Sequence, residues 1–214
     1  MYFLTKELWF PDSNEASEEG ILAIGGDLNP ERIVLAYENG IFPWYNKEDP
    51  ILWWSPPERM VLFPHELKIS KSMRALLNKH LFECRINHSF NEVIMNCATI
   101  KRKYDEGTWL TNEMITAYSK LHQLGYAHSF ETWKDGKLVG GLYGVYLKSK
   151  EIFYGESMFA KESNASKFAF IKMVEHYKTK GLKLVDCQIY TSHLESLGAR
   201  LIDREKFLRI CNQN

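Results

Sequence analysis

The sequence predicts an α+β protein with a small N-terminal α/β lobe, residues 1–62, on a larger domain, residues 63–214. In the larger domain apolar residues alternate with period two from 127 to 159, which predicts strands of a mixed, mainly antiparallel sheet. Segments of helical period lie on both sides of this run and would flank the sheet. The first sixty residues are instead rich in Gly, Pro and Trp, which favours short elements in a separate lobe.

The small lobe begins with a predicted strand, ILAIG, that ends at Gly25 and Gly26. Asn29 is expected to cap a helix that has Pro30 in its first turn and Gly40 just past its end. The segments IFPWY and ILWWSPPER follow, and they are too dense in aromatic residues and proline for long elements. Their tryptophans are expected to pack the lobes together, or else to offer a flat face on which a base stacks.

The larger domain begins with a predicted amphipathic helix over 70–79 and an alternating strand over 82–86. Two more helices are expected, one after Ser89, which has capping-box spacing, and one that Thr111 opens. The period-two region then predicts a three-stranded antiparallel meander, with its first turn at Asp135-Gly136. Glycines in the middle strand indicate a bulge or a close backbone approach.

After the meander the pattern predicts a helix over 165–180, a strand over 182–188, a short helix over 191–198 and a last strand over 200–203. The order meander, helix, strand, helix, strand is that of GNAT-type acyltransferases. The larger domain is therefore predicted to be a GNAT-like catalytic domain.

Charge is balanced overall, with 27 basic and 27 acidic residues, so no global attraction draws the protein to nucleic acid. The distribution is nevertheless polarised, because acids dominate up to residue 62 and bases dominate from 63 to 103. Lys71, Arg74 and Lys79 would project from the outer face of the first helix of the larger domain. They are candidates for binding the phosphates of a polyanion, although simple solvation of a helix face is the plain alternative.

Four widely spaced cysteines and seven scattered histidines offer no metal-ligand spacing and no disulfide framework. The sequence therefore predicts no metal and no cofactor. The N-terminus has neither the basic region nor the long apolar run of a secretory signal peptide. We therefore expect a cytoplasmic protein without membrane association. Nothing in the pattern requires more than a monomer.

Three polar residues interrupt strands that would otherwise be apolar: Glu156, Asp186 and Gln188. Buried polar groups usually pair internally or face a cleft, and the two-residue spacing of Asp186 and Gln188 puts them on one strand face. The turn over 161–166 before the following helix has no glycine and carries an acid, unlike turns that hold the pyrophosphate of acyl-CoA. If an activated acyl group is the substrate, an aminoacyl-tRNA fits the basic helix and the tryptophans better.

The motifs GGDLNPERIVLAYENGIFPWY, ILWWSPPER, GTWLT, AHSFETW, LVGGLYGV, GESMF, NASK, DCQ and SLGA occur in this order along almost the whole chain. Together they resemble the leucyl/phenylalanyl-tRNA-protein transferase family. The resemblance implies transfer of Leu or Phe, less readily Met, from tRNA to the N-terminal Arg or Lys of a protein, which creates a bacterial N-degron. One departure is Ala160, where such enzymes usually carry Ser.

The resemblance implies direct aminolysis of the ester, with Gln188 contacting the attacking amine and Asp186 orienting it. Gln188 is expected to position the amine and to relay its proton with Asp186, because a neutral amide is a poor base. Glu156 would hold the positive charge of the acceptor Arg or Lys. A backbone cap for Asp186 and a structural ion pair for Glu156 are the plain alternatives.

The pocket for Leu or Phe is expected to be deep and apolar, lined by Leu142, Phe153 and Met158, although each alone could be plain core. Trp44 and Trp109 match positions that hold the aminoacyl adenosine in the family. Two other functions remain open at this stage. One is a GNAT-type acyl-CoA N-acyltransferase, and the other is a non-catalytic RNA-binding module.

Overall fold

The structure is a computed structural model and describes residues 1–100 and 110–213. Trp109, one of the two predicted adenosine-binding tryptophans, lies outside the described residues. The described chain forms two sheets and seven α-helices, which confirms the predicted α+β class.

The first sheet lies near the N-terminus and has four short strands in the order β1-β2-β4-β3. Its elements are β1 (Tyr2–Leu4), β2 (Ile21–Gly25), α1 (Pro30–Glu38), β3 (Phe42–Pro43) and β4 (Leu52–Trp54). Strand β2 and helix α1 occupy the predicted positions, and Asn29 is the N-cap residue of α1. The short parallel strand β1 is not predicted by the sequence, because three residues give too little periodicity to read.

The second sheet has seven strands in the order β11-β5-β10-β9-β8-β7-β6. The strands are β5 (Glu58–Leu62), β6 (Glu83–Ile86), β7 (Ala127–Lys134), β8 (Lys137–Leu147), β9 (Ile152–Ala160), β10 (Leu184–Gln188) and β11 (Arg200–Asp203). Among these described strands β9 and β10 pair in parallel, and the other neighbours are antiparallel. The sheet is thus mixed and mainly antiparallel, as predicted.

Helices cover both faces of the seven-stranded sheet. They are α2 (Lys71–Asn78), α3 (Phe90–Thr99), α4 (Asn112–Gln123), α5 (Ala165–Lys178), α6 (Ser192–Glu195) and α7 (Arg204–Asn212). Residues of α1, α3 and α4 share one apolar core with the sheet, whereas α5 packs in a second core on the other face. Helix α7 is absent from the sequence prediction, and it completes the first core with Phe207 and Cys211.

Strand β5 lies between β11 and β10 in the large sheet. By strand pairing it belongs with the larger domain, although the predicted division at residue 62 assigns it to the small lobe. The division itself stays a prediction.

The predicted meander is present as β7, β8 and β9. Asp135 and Gly136 both have positive φ angles, 49° and 72°, which suits a two-residue hairpin turn. Glycine is needed at 144 in β8, because a Cβ atom there would lie 2.2 Å from the Tyr154 carbonyl oxygen. The close backbone approach expected from the glycines is therefore confirmed. Within the residues described, helices of a length and apolarity suited to crossing a membrane are absent.

Candidate active site

The large sheet opens between its two parallel strands. β9 and β10 pair only where residues 152–154 meet 184–186. Beyond that point each strand has an irregularity, because the β8–β9 register passes over Glu156 and the β5–β10 register passes over Cys187. Bulges of this kind re-aim side chains and end pairing. The strands therefore part, and a cavity lies between their diverging ends.

The cavity has a volume of about 480 Å³ and a largely apolar wall. Its apolar lining comes from the sheet and from helices α5 and α6: Leu142, Phe153, Met158, Phe170, Met173, Cys187 and Leu194. The three residues predicted to line an aminoacyl pocket are among them. A space of this size and character suits the side chain of one large apolar amino acid with part of its carrier.

Trp44 lies at the cavity beside Phe42 and Pro43, and 39% of its surface is exposed. Trp54 packs against it at a ring distance of 5.4 Å and donates from its Nε1 to the Trp44 carbonyl at 2.6 Å. Trp53, by contrast, is fully buried in the core. Trp44 therefore presents an open aromatic face toward the cavity, while Trp53 has the packing role.

Glu156 is the carboxylate of the cavity wall. It accepts hydrogen bonds from the phenols of Tyr37 (2.7 Å) and Tyr118 (2.8 Å) and from Gln188 Nε2 (3.0 Å). Burial raises the pKa of Glu156 to about 7, even though these three donors each lower it. The carboxylate can therefore change charge near neutral pH.

Tyr37 and Tyr118 are the site residues that sequence reasoning missed. Tyr37 lies on α1 and Tyr118 on α4, and their hydroxyls are 2.6 Å apart next to Glu156. Both side chains are fully buried, and burial raises the pKa of each phenol well above its ordinary value. The only sequence signal is a hydroxyl on the apolar face of each helix, which does not reveal that the two helices meet at Glu156.

Gln188 lines the cavity next to Glu156, and the two predicted side chains are thus brought together. Its backbone adopts a left-handed conformation, with φ of 62°. Its backbone N–H donates to Asp186 Oδ1 at 2.9 Å. The bulge between 186 and 188 accordingly turns the Gln188 amide toward the cavity.

Asp186 is fully buried and does not line the cavity. Arg59 donates to both of its oxygens, from Nε at 2.8 Å and from Nη2 at 2.7 Å. The contact between Asp186 and Gln188 runs through the Gln188 backbone N–H. The expectation that both side chains lie on one strand face is wrong, because the bulge breaks the simple alternation on which it rested. The relay between them stays a prediction.

The candidate tRNA-binding residues Lys71, Arg74 and Lys79 are exposed on and just after α2, as predicted for its outer face. The inner face of α2 packs through Met73 on Phe168 of α5 and its neighbour Ile171. Other residues in the same half of α5 line the cavity. Helix α2, with its basic outer face, therefore packs on the same half of α5 that lines the cavity. Binding of tRNA to this face stays a prediction.

A mixed sheet that opens between two parallel strands, with helices on both faces, is the GNAT-like fold that the order of elements predicts. The sequence profile described as "Leucyl/phenylalanyl-tRNA protein transferase" matches residues 61–212, and the profile for its N-terminal domain matches residues 26–57. The chain belongs to the leucyl/phenylalanyl-tRNA protein transferase family and is an aminoacyltransferase.

Two relatives with high sequence identity agree with this assignment. The chain is 60% identical to the leucyl/phenylalanyl-tRNA–protein transferase of Flavobacterium johnsoniae, over 98% of each chain. It is 52% identical to that of Syntrophobacter fumaroxidans, over 100% of this chain and 91% of the relative. Among solved structures, it is similar to an aminoglycoside acetyltransferase from a soil metagenome, with a TM-score of 0.41 at 14% identity, over 63% of this chain and 90% of that one.

Proposed function

We propose that the protein moves Leu or Phe, and less readily Met, from aminoacyl-tRNA to the N-terminal Arg or Lys of acceptor proteins. The modified proteins would then be marked for degradation as N-degrons in the cytoplasm. The observation that carries the proposal is the Glu156–Gln188 pair on the wall of a largely apolar cavity. The apolar part of the cavity suits the transferred side chain, and the wall that carries Glu156 and Gln188 suits the acceptor.

The donor ester is already activated, so the reaction needs no covalent enzyme intermediate. The acceptor α-amine attacks the ester carbonyl, the new amide bond forms, and the ribose oxygen of the tRNA leaves and takes up a proton. The protein has to hold the amine, the ester and the departing oxygen in register. With the Leu or Phe side chain among Leu142, Phe153 and Met158, the ester would face the polar wall.

Gln188 is proposed to position the attacking amine. Its Nε2 donates to Glu156, which leaves its Oε1 to accept a hydrogen bond from the amine. The same bond fixes the rotation of the amide. Glu156 would then neutralise the positive charge of the acceptor Arg or Lys side chain.

The turn before α5 supports a tRNA donor over acyl-CoA. Glu162 in this turn pairs with Lys134 at 2.8 Å, and the helix N-cap residue Asn164 has no glycine neighbour that would let a pyrophosphate approach. The Glu162 carboxylate would repel the negatively charged pyrophosphate of acyl-CoA. The acyl-CoA alternative is disfavoured on this ground.

The deciding experiment mixes the purified protein with tRNA carrying radiolabelled Leu and two peptides that differ only at the N-terminus, Arg or Ala. Label is expected in the Arg peptide alone, and tRNA charged with Val should give far less product. Equal labelling of both peptides would show that the protein does not select acceptors by an N-terminal Arg. No labelling, with tRNA still retained on a filter, would leave the RNA-binding module as the better description.

The basic face of α2 gives a separate prediction for tRNA binding. Replacing Lys71, Arg74 and Lys79 together by Gln is expected to weaken tRNA affinity about tenfold, because phosphate contacts depend on released counterions. The slope of log affinity against log salt should fall by about one per lost contact. Filter binding between low and physiological salt measures both quantities.

The matched control is a triple Gln replacement of three exposed lysines at the other end of α5 and at the β8–β9 turn: Lys148, Lys178 and Lys180. It removes the same charge from the end of the molecule opposite the cavity. Equal salt slopes for both triple variants would place the tRNA elsewhere.

A further inference from the structure

A buried ion pair lies behind the cavity wall. Arg59 and Asp186 are 1% and 0% exposed, and they make two parallel hydrogen bonds. The third guanidinium nitrogen, Nη1, donates to the Gly40 carbonyl at 3.0 Å. Although burial alone would lower the pKa of Arg59, the Asp186 carboxylate raises it. The arginine is thus charged, and each of its three guanidinium nitrogens donates a hydrogen bond.

The guanidinium also lies over two aromatic rings. Its Cζ lies 4.6 Å from the ring centre of Phe42 and 4.5 Å from that of Phe207. Phe42 itself lines the cavity, whereas Phe207 comes from α7. Stacking on a planar guanidinium fixes its orientation as well as its position, which a lysine ammonium would not allow.

The fixed carboxylate of Asp186 in turn holds Gln188. Asp186 Oδ1 accepts the Gln188 backbone N–H at 2.9 Å. Gln188 is in the left-handed region at φ 62°, a conformation that costs a non-glycine residue free energy unless its surroundings enforce it. The conformation matters because it turns the Gln188 side chain onto Glu156.

We propose that Arg59 is a positioning residue for the transfer reaction, which acts through Asp186 to hold the Gln188 amide against the cavity wall. This inference rests on the proposed function, since it assigns the origin of the geometry that the proposed chemistry uses. It also gives Asp186 a different role from a proton relay. Both of its oxygens are occupied by Arg59 and by the Gln188 backbone, so it serves as a fixed anion.

Stability alone does not account for this arrangement. A buried ion pair is often no more stabilising than apolar residues of similar volume, because desolvation offsets the attraction. Apolar residues in place of the ion pair could not accept a hydrogen bond from the Gln188 backbone N–H, whereas Asp186 does. That acceptor is what the bulge at 186–188 requires.

The test replaces Arg59 by Lys, which keeps the charge and loses the planar fork. The expected result is a fall in kcat of about tenfold with KM for the acceptor peptide nearly unchanged, because a small displacement of a positioning group costs rate. In a Gln188→Ala background the same replacement should change kcat less than about twofold, since the residue through which Arg59 acts is already gone. An equal loss in both backgrounds would overturn the proposal.

Arg32→Lys is the matched control. Arg32 is also 1% exposed and donates to the carbonyls of Thr5 and Glu7, away from the cavity. It tests the cost of losing a buried guanidinium in general. If Arg32→Lys lowered kcat as much as Arg59→Lys, with the same dependence on Gln188, the positioning role would be refuted.

A readout without catalysis separates this proposal from the proposed function. Amide hydrogen exchange of Gln188 should be faster in Arg59→Lys by about tenfold, since its acceptor is less firmly held. Faster exchange in a protein that transfers no amino acid would show that Arg59 holds Gln188 in place but would refute the proposed function. Transfer with unchanged exchange would do the reverse.

If Arg59→Lys does not fold, the double variant Arg59→Gln, Asp186→Asn provides the same test. It removes both charges together, so no unpaired ion is left buried. Position 186 then carries a side-chain amide, whose oxygen can still accept a hydrogen bond from the Gln188 backbone N–H. No guanidinium holds that oxygen in place. Exchange and kcat equal to those of the parent would show that Arg59 does not position Gln188.

Discussion

Replacing Gln188 by Ala is expected to lower kcat about 100-fold, the loss typical when a reacting group is no longer held in place. Affinity for aminoacyl-tRNA should stay within about twofold, because the wall that would hold the transferred side chain is made by other residues. The backbone conformation should persist, since Gln and Ala bear the same strain at φ 62°.

Single-turnover transfer from labelled Leu-tRNA to an Arg peptide measures the chemical step, and filter binding measures the tRNA affinity. Gln123→Ala is the matched control, because Gln123 is an exposed residue at the end of α4. A parallel loss of tRNA binding in Gln188→Ala would show that Gln188 holds the donor and not the amine.

The second large effect tests the proposal that Glu156 distinguishes charged acceptors from neutral ones. A peptide that begins with Arg and one that begins with citrulline have nearly the same shape but differ by one positive charge. With Glu156 ionised, kcat/KM is expected to favour the Arg peptide by about 10- to 100-fold, the worth of a charge-assisted hydrogen bond. In Glu156→Gln this preference should vanish.

The preference should also depend on pH. Burial raises the pKa of Glu156 to about 7, so the group is ionised above that pH and neutral below it. The Arg-to-citrulline ratio should therefore be high at about pH 8 and fall as pH drops through about 7. Deprotonation of the attacking α-amine changes both rates alike and cancels in the ratio.

Glu162→Gln is the control for the acceptor experiment, because it removes a carboxylate from the nearby turn and leaves the cavity wall intact. In this variant the Arg-to-citrulline ratio should equal that of the parent protein at every pH. A ratio that stays constant from about pH 6 to about pH 8 in the parent protein would mean that Glu156 does not sense the acceptor charge.

Much of the larger domain could be predicted because its signals are local. The Asp-Gly turn, the period-two strands and the caps at Thr111 and Thr191 all depend on neighbours in sequence, and both of these caps bond as expected. The side chains of Asn29 and Ser89, also predicted to cap helices, make no capping bond. The backbone N–H of Ser89 donates instead to the buried Glu131. A tertiary contact replaced the local one.

The candidate site was only partly predictable for the same reason. Glu156 and Gln188 stand out as polar residues in apolar strands, so a pattern can find them. Tyr37, Tyr118 and Arg59 carry no such signal, because their roles depend on which helices and strands meet across the chain. The bulge that separates Asp186 from the cavity is equally invisible to a two-residue alternation.

The buried pair of Arg59 and Asp186 also bears on when the enzyme is assembled during its synthesis. Chains emerge from the ribosome with the N-terminal part first. Arg59 leaves early, Asp186 much later, and Phe207, which covers the guanidinium, later still. Until α7 has emerged, the guanidinium lacks its contact with Phe207. If Arg59 positions Gln188 as proposed, we expect a nascent chain to transfer no amino acid before α7 is in place.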